Sequence, residues 1–184
     1  MKKLFMTLVA VVLAVSANAQ VFIGGTAGIS NVKNASADNA TTYKIIPEIG
    51  YDIDSENTIG IAFGFGKGYS AISNDAFNLS TGNNTLEYVT INPYFRYKIA
   101  SVKTVSLYSE LGFGYTHYDD LGNLLTIGFR PIVTFSVSKH VQLVSKIGFL
   151  GYQSFDPKSG GAKSHAWGLD LDGNNIQFGI YYKF

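Results

Sequence analysis

The stretch Val89-Thr-Ile-Asn-Pro-Tyr-Phe-Arg-Tyr-Lys-Ile99 alternates between two kinds of side chain. Its odd-numbered positions are apolar or aromatic, whereas its even-numbered positions include Asn92, Arg96 and Lys98. Successive side chains of a β-strand point to opposite faces, so this period of two predicts a strand with one apolar and one polar face. The same pattern runs through most of the chain after residue 19, and helical spacing is hardly seen.

Turn-forming residues divide this pattern into separate stretches. The connections after the second, fourth and sixth stretches are short, and those after the first, third and seventh are long and polar. Only the connection 119–123 departs from this rule, because it is shorter than the others on its side. Strands joined in this way form an antiparallel up-and-down meander. The eight predicted strands are 20–30, 42–53, 58–69, 86–99, 105–118, 124–137, 141–154 and 175–184.

Three of the stretches share a repeat that begins with proline. Pro47–Ile53, Pro93–Ile99 and Pro131–Val137 each place an apolar or aromatic residue at every second position and then enter a short turn. The repeat indicates that the folding unit is an up-down hairpin. Because each proline lies within a strand and lacks the N–H that the hydrogen-bond ladder needs, we expect a β-bulge at each of the three.

The composition excludes several classes of protein. The 184 residues allow one domain, and charged residues make up 15% of the chain, against about 25% in a typical globular protein. The formal net charge of +1 leaves no excess of positive charge with which to bind nucleic acid over a large surface. The absence of cysteine excludes disulfide scaffolds, thiolate metal sites and cysteine nucleophiles.

The first 19 residues are typical of a secretory signal peptide. Lys2 and Lys3 precede an apolar run over 4–15, and the small residues of Ser16-Ala-Asn-Ala19 follow at once. We expect cleavage after Ala19. The alternative is a membrane anchor, but the apolar run is short of the roughly 20 residues that a helix needs to cross a bilayer.

The polar face distinguishes a soluble barrel from a membrane barrel. A soluble exterior is rich in Lys and Glu, but the third stretch carries Gly60, Ala62 and Gly64 on this face, and such small residues suit a crowded interior. The apolar face is almost free of charge, and its aromatic residues gather toward the strand ends, as lipid and its interfaces require. Unpaired strand edges are costly in lipid, so the sheet must close. The predicted fold class is all-β, a transmembrane up-and-down antiparallel β-barrel of eight strands over 20–184.

The end of the chain carries a family resemblance. Its last strand alternates up to a C-terminal phenylalanine, and the whole chain after residue 19 resembles the small eight-stranded outer-membrane barrels related to outer membrane protein X and to the transmembrane domain of outer membrane protein A. The resemblance implies an outer-membrane protein of a Gram-negative bacterium, with short turns in the periplasm and long loops outside. By the same resemblance, a signal for the barrel-assembly machinery is formed by Phe178, Ile180, Tyr182 and Phe184.

The resemblance also implies partners. Outer-membrane lipid and lipopolysaccharide surround the barrel, and the barrel-assembly machinery and periplasmic chaperones meet it during biogenesis. We expect a monomer with no nucleic-acid partner. The sequence does not identify an extracellular ligand.

The predicted interior carries charge. An eight-stranded barrel is just wide enough for its own side chains to fill it, so charges in the inward register must pair with one another. We predict an ion-pair network that plugs the lumen, with a gated pore whose salt bridges rearrange as the alternative. The predicted members of the network are Glu48, Arg96, Glu110, Arg130 and Lys146.

Candidates for chemistry are few. His117 with Asp119 and Asp120 is a His-carboxylate cluster at the outer end of the fifth stretch, where some small barrels deacylate or acylate lipid A with Ser, His and an acid. It lacks the His-x-Ser pattern of the deacylases, so we interpret it as solvated. Asp170-Leu-Asp-Gly-Asn174 contains only a fragment of a calcium loop and predicts a polar turn. We therefore predict no catalytic residue, no metal and no cofactor.

These observations favour a non-enzymatic barrel with a structural or surface-interaction role through its extracellular loops. The alternatives are a narrow channel, or a conduit for small hydrophobic molecules, which would need a lateral opening or lumen that the sequence does not display. A lipid A-modifying enzyme is the third hypothesis.

Overall fold

A computed structural model of the protein describes residues 21–32, 40–67, 87–171 and 176–184. The regular elements of these residues are strands. No helix among the described residues is long and apolar enough to span a membrane. The strands are β1 (Val21–Val32), β2 (Ala40–Asp52), β3 (Asn57–Lys67), β4 (Glu87–Val102), β5 (Val105–Tyr118), β6 (Gly122–Ser136), β7 (Val141–Lys146), β8 (Phe149–Pro157), β9 (Ser164–Asp170) and β10 (Gln177–Lys183).

The strands close into a barrel. Each strand from β1 to β6 pairs antiparallel with the next, β6 pairs with both β7 and β8, and β10 lies between β7 and β1. Closure is completed by five pairs from Phe22 with Lys183 to Thr26 with Gly179. Because β7 and β8 follow one course around the barrel, as do β9 and β10, the ten segments make eight barrel strands. The predicted fold class, a closed eight-stranded antiparallel barrel, is confirmed.

The seventh barrel strand is broken, where a continuous strand over 141–154 was predicted. β7 ends at Lys146 and β8 begins at Phe149, with Gly148 at a φ of +66° between them. Lys146 and Phe149 are both buried in the interior, although their numbers differ in parity. The residues between them reset the alternation, as a β-bulge does. The prediction of one uninterrupted strand is wrong for this reason.

The last connection is also shorter than predicted. The expected loop covered 155–174, but Ser164–Asp170 forms β9 and pairs with β8 from Phe155 with Ser164 to Phe149 with Asp170. Among the described residues β9 pairs on this side alone. Its Trp167 is 85% exposed. The short run alternates like the other strands, but polar residues flank it, which is why the sequence pattern favoured a loop.

The three prolines do not all lie at bulges. At Pro47 the ladder to β3 lacks two pairs, yet its register is the same on both sides. At Pro93 the ladder to β5 is interrupted in the same way, again without a shift. The bulges predicted at these two are therefore wrong, since each missing N–H only removes local pairing. Pro131 lies opposite the break in the seventh strand, where the Ile147 amide donates to its carbonyl oxygen at 2.9 Å.

The interior glycines make room for aromatic rings. A Cβ built on Gly50 would lie 2.1 Å from Cζ of Phe22, and one on Gly60 would lie 2.4 Å from Cζ of Tyr94. On the outer face of the barrel, by contrast, the side chains are large, apolar and exposed. The barrel therefore has a tightly packed, polar and aromatic interior and an apolar outer surface.

The turn after β2 is held by a single carboxylate. Asp54 Oδ1 accepts from the amides of Glu56 and Asn57 at 2.7 and 2.8 Å, and the Asn57 side chain donates to both carboxylate oxygens. These hydrogen bonds, that of the Asn57 side chain first, lower the pKa of the Asp54 carboxyl. The turn thus fixes the start of β3 and the register in which β2 presents its side chains to the lumen.

Candidate functional site

Charged side chains from four strands meet inside the barrel. Glu48 comes from β2, Arg96 from β4, Glu110 from β5 and Lys146 from β7, all at inward positions. Arg96 and Glu110 are direct partners in the β4–β5 ladder, so the strand register itself places opposite charges side by side. No side chain of the four is more than 6% exposed.

The four groups form a continuous chain of ion pairs, which we call the lumen cluster. Arg96 donates to Glu48 Oε2 at 2.9 Å and to Glu110 Oε2 at 2.7 Å. Lys146 Nζ donates to Glu48 Oε1 at 2.7 Å and lies 3.7 Å from Glu110 Oε2. Two cations and two carboxylates leave the lumen cluster with no net charge. Each charge has an opposite neighbour, which offsets the cost of its burial.

Two tyrosines that the sequence did not assign to the site complete it. The Tyr181 hydroxyl donates to Glu48 Oε2 at 2.8 Å and accepts from Arg96 Nη2 at 2.8 Å. The guanidinium carbon of Arg96 lies 4.2 Å from the ring centroid of Tyr94 and 5.1 Å from that of Tyr181, within cation–π range. The sequence pattern that could have identified them is that both tyrosines fall in the inward register, among residues that are otherwise small or charged.

The lumen cluster separates two small cavities. On the side of the long loops lies a cavity of about 40 Å³, and on the side of the short turns lies one of about 10 Å³. Arg96 and Tyr181 line the second cavity, which ends at a further ion pair between Lys183 Nζ and Asp52 Oδ2 at 2.7 Å. Each of these two cavities has room for only a few water molecules.

Arg130 does not join the lumen cluster directly. It is the ladder partner of Glu110 on β6, but no ion pair within 4 Å links it to a carboxylate of the described ranges. Its guanidinium carbon lies 5.5 Å from the ring centroid of Phe149. Lys44, which the sequence analysis did not select, is also buried, at 4% exposure. The site thus holds four of the five predicted residues in contact and two further cations beside them.

The predicted assembly signal lies on the outer surface. Phe178, Ile180 and Tyr182 of β10 point outward and are exposed. The Phe184 amide donates to the Val21 carbonyl at 3.1 Å, so the end of the chain is tied to the first strand. The Tyr182 ring packs edge-on against Phe184 with centroids 5.2 Å apart. These side chains form a continuous apolar edge where the barrel closes.

The His-carboxylate cluster lies at the rim and is solvated. His117 Nδ1 lies 2.7 Å from Asn123 Oδ1, and its Nε2 lies 3.8 Å from Asp119 Oδ1 with both side chains about half exposed or more. Asp120 pairs instead with Lys158 at 3.1 Å. Across the described ranges no group of three or more His, Asp or Glu side chains is arranged to hold a metal ion. The rest of the predicted polar turn, 172–175, lies outside the described residues.

Comparison with known proteins gives a structural likeness. No protein-family model matches the chain, and no curated protein matches it. The crystal structure of Neisserial surface protein A is similar with a TM-score of 0.52 and 14% identity, covering 89% of this chain and 97% of that one. The outer membrane protein Ail of Yersinia pestis gives a TM-score of 0.47 and 16% identity over 90% and 99% of the two chains. A major outer membrane protein of Thermus thermophilus gives 0.46 and 14% over 89% and 99%. The likeness to the neisserial protein shows that this chain has the fold of the small eight-stranded outer-membrane barrels.

Proposed function

We propose that the protein is an integral outer-membrane barrel of a Gram-negative bacterium that neither conducts nor catalyses, and that it acts through the loops it presents outside. The observation that carries this proposal is the neutral lumen cluster, which lies across the barrel between two cavities of about 40 and 10 Å³. With the lumen occupied by its own side chains, the loops that the proposed orientation places outside are the parts left to meet other molecules.

The outer surface supports a membrane location. One row of ladder partners carries Ile59, Phe95, Leu111 and Phe129 on adjacent strands, all exposed and none charged. In water such a belt would be a large exposed apolar patch, which soluble monomers avoid. In the hydrocarbon of a bilayer an apolar surface carries no such cost. A closed barrel also satisfies its backbone hydrogen bonds internally, as that environment requires. The exposed edge from Phe178 to Phe184 is suited to recognition by the assembly machinery.

The purified protein is expected to give no stable conductance when it is reconstituted in a planar bilayer at neutral pH. The reason is that ions would have to displace Arg96 and Lys146 from Glu48, to which they are bound at 2.9 and 2.7 Å. Single-channel recording measures this directly, with a porin as the positive control. Reproducible unitary currents from the folded protein would favour the gated-pore alternative and overturn the plugged-barrel proposal.

The orientation of the barrel can be tested on intact cells. An epitope inserted at Gly160, between β8 and β9, is expected to bind antibody without permeabilisation, because nothing lies within 4 Å of a Cβ at this position. The matched control is an epitope at Lys139, in the short turn between β6 and β7 at the opposite end. That insertion should be labelled only after the cells are permeabilised. The reverse pattern would contradict loops outside and turns in the periplasm.

A further inference from the structure

The cavity on the loop side of the lumen cluster has an unusual lining. It has a volume of about 40 Å³ and is lined by two cations and by no carboxylate. The remaining lining is small, polar or aliphatic. The cavity is bounded by Arg130 and Lys146, by Thr90, Asn92, Thr116, Thr126 and Gln177, and by Ile46, Ala62 and Gly114.

The charge balance around this cavity is positive. The interior holds Lys44, Arg96, Arg130 and Lys146 against Glu48 and Glu110, which gives four positive and two negative charges, or +2. Asp170 on β9 acts electrostatically on Arg130, and including it leaves +1. Among the described residues, the interior therefore contains one cation more than its carboxylates can neutralise, on the loop side of a cluster that is itself neutral.

Lys44 adds to the positive field without being neutralised by a described residue. It lies on β2 one inward position from Ile46, which lines the cavity, and the charged groups that act most strongly on it are Arg130 and Lys146, both cations. A buried cation is costly unless a counter-charge accompanies it. An anion in the cavity would supply that charge to all three cations at once.

Uncharged hydrogen-bond donors in the lining of the cavity also favour an anion. The Thr126 hydroxyl oxygen accepts from Gln153 Nε2 at 3.1 Å, so its own proton is available to another acceptor. The Thr116 hydroxyl is already committed, since it donates to Thr90 Oγ1 at 2.8 Å. Asn92 and Gln177 present amide groups to the same space. A cavity of this size exceeds the volume that one water molecule needs and suits a monatomic ion with one or two waters.

We propose that this cavity is a binding site for a small monovalent inorganic anion of the halide class, held between Arg130 and Lys146 in the field of Lys44. The anion neutralises the excess positive charge of the interior. It is a structural ion of the barrel, independent of the role of the loops.

Bromide provides a direct test in the intact protein. Crystals grown in bromide are expected to show an anomalous peak in the cavity, within hydrogen-bond reach of the Arg130 guanidinium and of Lys146 Nζ. A peak confined to the protein surface, or no peak, would overturn the proposal. Neither result bears on whether the lumen conducts, so failure here is distinguishable from failure of the plugged-barrel proposal.

A solution measurement gives an independent readout. At constant ionic strength, replacing gluconate by chloride is expected to raise the thermal unfolding midpoint saturably, by about 3–6 °C at ten times the dissociation constant. Arg130→Met should lose this chloride dependence. Lys67→Met, which alters a partly exposed lysine at the end of β3 that does not line the cavity, should keep it. An equal chloride effect in Arg130→Met and wild type would contradict the site. If Arg130→Met does not fold, Lys44→Met replaces it, and this variant is expected to bind chloride more weakly than wild type.

Discussion

Glu48→Gln is expected to lower the free energy of unfolding by about 3–5 kcal/mol, the range found when one partner of a buried ion pair is removed. The Glu48 carboxylate accepts from Arg96, Lys146 and Tyr181 at 2.7 to 2.9 Å. A neutral amide keeps the shape but leaves two cations facing a single remaining carboxylate. Urea unfolding in phospholipid vesicles, followed by gel migration of unheated samples, measures the change.

The matched control for this variant is Glu87→Gln at the rim of the barrel. The Glu87 side chain is 59% exposed and lies 3.9 Å from Lys67, so its loss should cost no more than about 1 kcal/mol. Equal losses in the two variants would contradict the importance of burial. The double variant with Glu48→Gln and Lys146→Met should recover part of the stability, because it removes one of the unpaired cations.

Phe95→Arg is expected to be the second most damaging change, with a loss of about 2–4 kcal/mol. Phe95 is 40% exposed on the outer face near the middle of β4, level with Leu111 and Phe129 on the next two strands. An arginine there would place its charge at the centre of the bilayer. The measurement is again urea unfolding in vesicles.

Ile99→Arg provides the comparison on the same strand and the same face. Ile99 is 57% exposed and lies four residues closer to the turn end of β4, where the arginine side chain can reach the interface. Its expected loss is about 0–1 kcal/mol. If both substitutions cost the same, the apolar belt does not sit in hydrocarbon and the membrane location is contradicted.

Much of the fold could be predicted from the sequence because one rule governs it. Alternation with a period of two determines both the strands and the side of the barrel on which each residue lies. Glu48, Arg96, Glu110 and Lys146 share even numbers within their strands and were therefore assigned to the lumen before any contact was known. A closed barrel then brings inward charges together whatever their distance along the chain.

The departures have local causes that alternation cannot express. The positive φ of Gly148 lets the chain reset its parity, so Phe149 points inward although it has the same odd parity as the outward Leu143 of the predicted strand. The contacts of Arg130 were also beyond the sequence. Its ladder partner Glu110 is already bound by Arg96 at 2.7 Å, and which of two flanking arginines takes a carboxylate depends on side-chain conformation.

The exposed position of Trp167 on β9 has an optical consequence. It is the only tryptophan of the chain, and its half-strand pairs on one side alone among the described residues. Intrinsic fluorescence excited at the tryptophan band therefore reports the surroundings of β9 and little else. Comparing its emission with the electrophoretic mobility of the whole barrel separates detachment of this half-strand from loss of the closed cylinder.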